Sequence, residues 1–218
     1  MKFIRKFGAG DFNLALLKRS DSVLVDGLSL STRRFILMEQ VHSDHIEIVT
    51  EEYCRADTSK PIAGADGLIT VEKSIFLTIK TADCIPLFLW DEKRNVIAAL
   101  HSGRKGTELN IAGKAIAVLK DSFGCRSDNI QAESGPAICA KCYAVDRQIF
   151  ADFVHKTGVQ QTFPFLDLKK VIHSQLQKAG IMNIIDHQIC TKEDQRYFSY
   201  RQNGTAARQI SVIGMMRS

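Results

Sequence analysis

Three residues in this chain have side chains suited to holding one metal ion: His42, Cys84 and His101. Ile85–Trp90 and Val96–Leu100 are apolar runs of strand length, rich in branched and aromatic side chains. The polar stretch Asp91–Asn95 between them has the length of a hairpin connection. Cys84 and His101 lie symmetrically about that connection, so an antiparallel pairing sets the thiol across from the imidazole. His42 directly follows a third strand-like stretch, Phe35–Val41. Thiolate and imidazole are good ligands for borderline metals, and a Cys-His-His set leaves one position of a tetrahedral zinc open, which is the catalytic arrangement. The spacing equally accommodates a buried structural cysteine beside a hydrogen-bonded core histidine.

Other residues could join such a site. His45 is an alternative to His42, although two histidines three apart reach one ion only across a sharp bend. Asp66 and Asp83 could orient ligands or carry a proton, and aspartate is also a common turn former. Cys139 and Cys142 form one Cys-x-x-Cys, but Cys125 and Cys190 are isolated in sequence, so the second pair of a closed zinc knuckle is missing. A redox role for the pair lacks the helix start that lowers a thiol pKa. His155, His173 and His187 read as surface or helix-flank residues.

The elements that would position these groups are mostly strands. Residues 1–6, Phe12–Leu17, parts of Ser20–Ser31, Phe35–Val41, Ile46–Thr50, Leu68–Val71, Asn129–Glu133, Ile181–Ile185, Phe198–Gln202 and Arg208–Met215 all have strand patterns, the last two joined through Asn203-Gly204 as a hairpin. Glu51–Ala63 reads as a polar surface connection. Helices are expected over about 108–121, Asp146–His155 and Asp167–Ala179, the first with Leu109, Ala112, Ile116 and Leu119 on one face. Many strands with a few helices indicate an α+β fold of stacked mixed or antiparallel sheets flanked by helices, in one domain over 1–218.

Composition narrows the function classes. Apolar residues make up 45% and charged residues 24% of the chain, values of an ordinary globular protein. The net charge of +5 is mild and no basic block stands out, which argues against nucleic acid and suits a small anionic substrate. No Gly-x-Gly-x-x-Gly follows a strand and no Walker phosphate loop is present. Met1–Gly8 lacks the apolar core of a signal peptide and no apolar run is long enough to span a membrane, so a cytoplasmic location with reduced thiols is expected. Nothing reads as an interface, and a monomer is expected.

The elements Gln40-Val41-His42, Gly64-Ala65-Asp66-Gly67-Leu68, Thr81-Ala82-Asp83-Cys84, His101-Ser102-Gly103-Arg104-Lys105-Gly106, Gly135-Pro136-Ala137-Ile138 and Phe198-Ser199-Tyr200-Arg201, with Asn203-Gly204 and Arg208, occur in this order. Together they resemble the YfiH-type family, also called the laccase-like or multicopper polyphenol oxidase family and associated with purine nucleoside phosphorylase activity. The resemblance covers roughly residues 35–215. It implies zinc bound by His42, Cys84 and His101. It also implies phosphorolysis of adenosine, inosine, guanosine and methylthioadenosine, together with deamination of adenosine. Purine nucleoside and phosphate are then the partners. Asp66 or Asp83 would manage protons, Lys105 or Arg201 would hold phosphate, and Tyr143, Phe198 or Tyr200 would stack on the base.

Two other readings stay open at this point. One is an amidase that edits peptidoglycan precursors. The other is the copper oxidase of the older family name, although six histidines with no His-x-His pair are few for a multicopper centre. A Cys-His-His site could nevertheless load copper. The chain departs from the family pattern at Ser102, Arg104 and Lys105, where Ala, Trp and Arg are usual. Cys139 and Ala144 replace a common Gly and Glu. Lys105 keeps a charge there without the bidentate fork of arginine.

Overall fold

A computed structural model describes residues 2–8, 22–25, 28–31, 34–55 and 60–216. Ile85–Asp91 (β8) and Val96–Ser102 (β9) are buried at every position, which is why they read as continuous apolar runs rather than alternating ones. They occupy the middle of a six-stranded sheet of order β11-β10-β8-β9-β6-β5. Its other members are Ile46–Ile48 (β5), Gly67–Thr70 (β6), Ile130–Ser134 (β10) and Asn183–Asp186 (β11). One face of β8 and β9 presents Phe88, Trp90, Ile97 and Ala99 to a second, four-stranded sheet, where Leu77, Ile79, Ile213 and Met215 meet them. The opposite face presents Leu87, Leu89, Ala98 and Leu100 to helices carrying Ala112, Ile116, Leu119, Val171, Ile172 and Leu176. Sheet, sheet and helix layer thus enclose two cores, and the central strands are apolar on both faces because each face has a cover.

The four-stranded sheet has the order β1-β12-β7-β4, from Lys2–Phe7 (β1), Gln209–Met216 (β12), Phe76–Thr81 (β7) and Phe35–Leu37 (β4). Both sheets are mixed, with β4–β7, β5–β6 and β10–β11 parallel. Ser22–Val25 (β2) and Leu28–Ser31 (β3) form a separate antiparallel pair. The expected α+β architecture of stacked sheets flanked by helices is the one observed. The strand expected over Phe12–Leu17 lies outside the described residues. No helix among the described residues is long and apolar enough to cross a membrane.

Several local expectations change. The β8–β9 hairpin pairs Pro86 with His101 and Ile85 with Ser102, two residues from the symmetric register. Asp91 extends the strand, and its carboxylate accepts the N–H groups of Lys93 (2.8 Å) and Arg94 (3.1 Å), which moves the turn onto residues 92–95. Cys84 therefore lies across from Gly103 rather than His101.

The helix expected near 108–121 is two helices, Arg104–Glu108 (α2) and Ile111–Phe123 (α3). Asn110 breaks them with a left-handed φ of 58° and caps the second by accepting the Gly113 N–H. Leu109, in the break, is exposed, while Ala112, Ile116 and Leu119 are buried as expected. The Thr107 hydroxyl is hydrogen-bonded to that of Ser102 (2.9 Å). Glu51–Arg55 (α1) is a short helix inside the stretch read as a connection.

The helices Arg147–Thr157 (α4) and Leu168–Lys178 (α5) are capped by Asp146 and Asp167, as their sequences indicate. Phe198–Gln202 is not a strand. Tyr200–Asn203 (α6) is a helical turn capped by Ser199 and ended by Gly204 at φ 66°. A glycine with positive φ terminates a helix as readily as it turns a hairpin, and here it does the former.

Candidate metal centre

Beyond β4 the chain bends sharply, because Gln40 and His42 both adopt left-handed φ, 65° and 62°. Such angles are uncommon for residues with a Cβ and need compensation from the surroundings. The Gln40 side chain supplies part of it. Its Nε2 donates to the Lys80 carbonyl (2.6 Å) and its Oε1 accepts the Lys80 N–H (2.8 Å), so the amide imitates a paired strand residue beside β7.

Asp66 supplies the rest. This buried carboxylate accepts the N–H groups of His42 (3.1 Å) and Ser43 (2.7 Å) and the Ser43 hydroxyl (2.9 Å). It also accepts Nδ1–H of His101 (2.7 Å). One side chain thus fixes the backbone of one candidate ligand and the ring of another. With Nδ1 committed as a donor, His101 keeps Nε2 as its ligating atom, the usual carboxylate–histidine support of a metal site.

The sulfur of Cys84 lies 3.8 Å from Nε2 of His42. The two imidazole rings stand 4.9 Å apart at 77°. One ligand atom from each of His42, Cys84 and His101 falls within 4.8 Å of the others. Burial pushes the Cys84 thiol up, but the charge and hydrogen bonds of His101 and His42 outweigh it and bring the thiol down to about 6. On His101, burial works downward, while the Cys84 thiolate and the Asp66 carboxylate raise it to about 9. Asp66 is held below the usual carboxylate range, because hydrogen bonds and charge from His101 and Ser43 exceed the effect of its burial. A thiolate and two imidazoles within reach of one point fit zinc or copper, and three protein donors leave a fourth position free.

Gly103 makes the convergence possible. A Cβ built there would stand 2.8 Å from the sulfur of Cys84 and 3.0 Å from Cδ2 of His42. Gly103→Ala is therefore expected to weaken metal binding by about tenfold or more, since overpacking of this kind costs about 1–3 kcal/mol. Competition with a chromophoric chelator measures it, alongside a circular dichroism spectrum that should stay unchanged.

The centre opens into a cavity of about 700 Å³. His42, Cys84 and His101 line it together with Arg104, Tyr143, Tyr200, Arg201 and Arg208. Arg104 is ion-paired with Glu108. The Arg201 guanidinium lies 4.9 Å over the Tyr143 ring and donates to the Ala144 carbonyl (2.8 Å). Arg208 donates to the carbonyls of Thr205 and Ala207.

Asp83 also reaches the cavity, at φ 89°, with both oxygens occupied. They accept the Thr191 hydroxyl (2.7 Å) and the Arg201 N–H (2.7 Å), which joins three chain segments around the site. Lys105 is exposed and lies outside the cavity lining, while its neighbour Arg104 faces in. Phe198 does not line the cavity; its N–H binds Gln209 (2.9 Å). His45 pairs with Glu47 (3.3 Å) and stands apart from the cluster. His187 donates to Glu133 (2.8 Å) and His173 lies 3.9 Å from Asp186, both away from the centre. Burial and the neighbouring Asp91 push the Cys125 thiol up to about 12, as befits a core residue. The sequence reading missed Gln40 and Gly103. The signal for Gly103 was its place one residue before the helix and opposite Cys84, legible only with the correct register.

Comparison with known proteins agrees with this architecture. The profile of the family described as multi-copper polyphenol oxidoreductase laccase matches residues 8–216. A Campylobacter jejuni protein named purine nucleoside phosphorylase is 35% identical over 211 residues, 93% of this chain and 87% of the relative. A Streptomyces coelicolor protein of the same name is 30% identical over 191 residues, 85% and 77% of the two chains. Among solved structures, the Bacillus licheniformis hypothetical protein YfiH superposes with a TM-score of 0.82 at 25% identity, covering 98% of this chain and 92% of that one. YlmD from Geobacillus stearothermophilus gives 0.78 at 26% identity, covering 99% and 91%. The sheets, the His-Cys-His cluster and these matches agree: the chain belongs to the multi-copper polyphenol oxidoreductase laccase family, the YfiH family.

Proposed function

We propose that this chain is a zinc-dependent purine nucleoside phosphorylase, converting adenosine, inosine, guanosine or methylthioadenosine and phosphate to free base and ribose 1-phosphate. The observation that carries the reading is a three-donor metal centre in the same cavity as Arg104, Arg201 and Arg208. A volume of about 700 Å³ is that of an ordinary small-molecule site and admits a nucleoside with phosphate. The names carried by the relatives support the same substrate class.

In phosphorolysis a phosphate oxygen attacks the anomeric carbon as the N-glycosidic bond breaks, and the base leaves with that electron pair. Arginine suits phosphate because its planar fork presents two parallel donors. Arg201 uses one group on the Ala144 carbonyl and has further donors for the anion. Arg208 lies on the same lining, and Arg104 takes the role that sequence alone gave to Lys105. Tyr143, backed by Arg201, offers a ring face for the purine, with Tyr200 nearer solvent. Asp66 keeps His101 oriented, and Asp83 holds the Arg201 backbone against the cavity wall. When bound, zinc supplies a Lewis acid and lowers the pKa of a coordinated water.

Arg201→Ala is expected to raise KM for phosphate about 10- to 100-fold, the worth of a charged hydrogen bond of about 1.5–3 kcal/mol, with a smaller rise for the nucleoside through the Tyr143 ring that it backs. Arg201→Lys should restore part of the loss. Chromatography of inosine and adenosine reactions with and without phosphate tests the whole reading. Base release that requires phosphate supports it, and intact nucleosides with metal present overturn it. The free fourth position of the donor set also favours adenosine deamination as a second activity. It would be seen as inosine formed from adenosine without phosphate.

A further inference from the structure

We propose that Cys139, Cys142, Cys190 and Glu193 form a second zinc site, a closed four-ligand clamp on the flank of the cavity. In sequence, Cys190 is isolated from the Cys139-Ala140-Lys141-Cys142 pair. The fold removes that isolation. Strands β10 and β11 run parallel, with Ser134 paired to Asp186, so the segments that leave them emerge side by side. Ala137 then bridges Cys190. The Ala137 N–H donates to Ile189 (3.2 Å) and the Thr191 N–H donates to Ala137 (3.1 Å).

Each segment next makes the same tight turn. The Cys142 N–H returns to the Cys139 carbonyl (3.1 Å), and the Glu193 N–H returns to the Cys190 carbonyl (3.2 Å). Residues at the two ends of such a turn share a side, so Cys-x-x-Cys faces Cys-x-x-Glu. The missing second pair of a zinc knuckle is therefore present, with a carboxylate as its last member. One ligand atom from each of the four residues lies within 4.8 Å of the others. Tetrahedral zinc with sulfur at about 2.3 Å sets sulfurs about 3.8 Å apart, so the ligand atoms close by at most about 1 Å on the ion.

Two further features fit a bound cation. The Cys139 N–H points at the sulfur of Cys190 (3.4 Å), an arrangement that stabilises a thiolate ligand. Lys141 and Lys192, at the third position of each turn, offset the negative charge that three thiolates and a carboxylate carry in excess of the metal's. Four protein donors in two short-spaced pairs are the pattern of a structural site, in contrast to the three-donor centre beside it.

The clamp would stiffen the cavity. Tyr143, next to Cys142, lines it, and Thr191, next to Cys190, donates to Asp83. Ile138, next to Cys139, lines it too, and its N–H donates to the Asp83 carbonyl (3.0 Å). Every residue of the clamp is thus adjacent to, or within one turn of, a group that shapes the wall.

The test reads metal and thiols and is independent of any nucleoside activity. Protein purified without added metal should hold about two zinc ions per chain by elemental mass spectrometry. Cys84→Ala should keep about one, and the double variant Cys139→Ser, Cys142→Ser should also keep about one. On the unaltered chain, peptide mapping after alkylation should show Cys139, Cys142 and Cys190 reacting at least about tenfold faster once a strong chelator has removed zinc. Any of three results would overturn the proposal: zinc that vanishes completely in folded Cys84→Ala, alkylation unaffected by the chelator, or a disulfide within the cluster of the freshly prepared protein.

Discussion

Cys84→Ala is expected to empty the His42–Cys84–His101 centre and to lower kcat/KM for inosine phosphorolysis about 1000-fold or more. The thiolate is the one anionic donor of the three, and its removal leaves two imidazoles, too few to hold zinc firmly. Loss of the metal's stabilisation of developing charge is worth several kcal/mol, and about 4 kcal/mol corresponds to about 1000-fold. Alanine removes only the sulfur from a partly exposed position, so the fold should survive, as circular dichroism would check. Cys84→Ser should behave alike, because a hydroxyl is a poor zinc ligand. Metal content and steady-state rates on the same sample read the outcome. A variant that had lost this zinc and still turned over at the parent rate would separate the reaction from this centre.

Asp66 is a buried polar position where substitution should cost the fold heavily. Its Oδ1 accepts from His42 N–H and His101 Nδ1–H, and its Oδ2 accepts from Ser43 N–H and Ser43 Oγ–H, all within a buried joint between the bend after β4 and the start of β6. Asp66→Ala strands the His42 and Ser43 N–H groups and His101 Nδ1–H, while the Ser43 hydroxyl keeps the Gly64 carbonyl (3.0 Å), at an expected cost of about 3–5 kcal/mol. For a chain of this size that lowers Tm by roughly 6–20 °C, measured with the metal chelated so that only the fold is read. Asp66→Asn is isosteric and still wrong. Whichever oxygen becomes NH2 turns a donor against donors, at Ser43 in one flip and at His42 and His101 in the other. Its expected signature is a milder Tm loss with metal affinity reduced about 10- to 100-fold, the usual effect of losing a carboxylate that orients a ligating histidine. Unchanged zinc affinity in Asp66→Asn would show that His101 needs no such support.

Cys84 and His101 were legible because each borders a run of apolar residues at a strand end, where a sheet offers side chains to a cleft, whereas His42 stands five residues past the end of β4 and is brought in by the bend. Hairpin symmetry also brought Cys84 and His101 near each other although the register was two residues off, since an even slip keeps side chains on the same face. What the sequence concealed is nonlocal or shares its signal with something else. Gly103 matters only because it faces Cys84, a fact of register. The inward cation is Arg104 rather than Lys105 because the helix begins at Arg104, a boundary no side-chain cap announces. Asn203-Gly204 looked like a hairpin turn, and the Ser199 cap three residues before Gln202 is what made it a helix end. Cys190 reaches Cys139 through the parallel pairing of β10 and β11, strands separated by two helices in the chain, and local patterning carries no trace of it. Gln40 is similar: an amide that replaces a strand partner is visible only once β7 lies beside it.

The products of one reaction test phosphorolysis at this centre most directly. Metal-replete protein would be incubated with inosine and inorganic phosphate, and phosphorus NMR would follow the phosphate. The predicted result is one ribose 1-phosphate for each hypoxanthine released, no release when phosphate is omitted, and neither product from Cys84→Ala. Hypoxanthine appearing with free ribose, or at the same rate without phosphate, would contradict phosphorolysis at this centre.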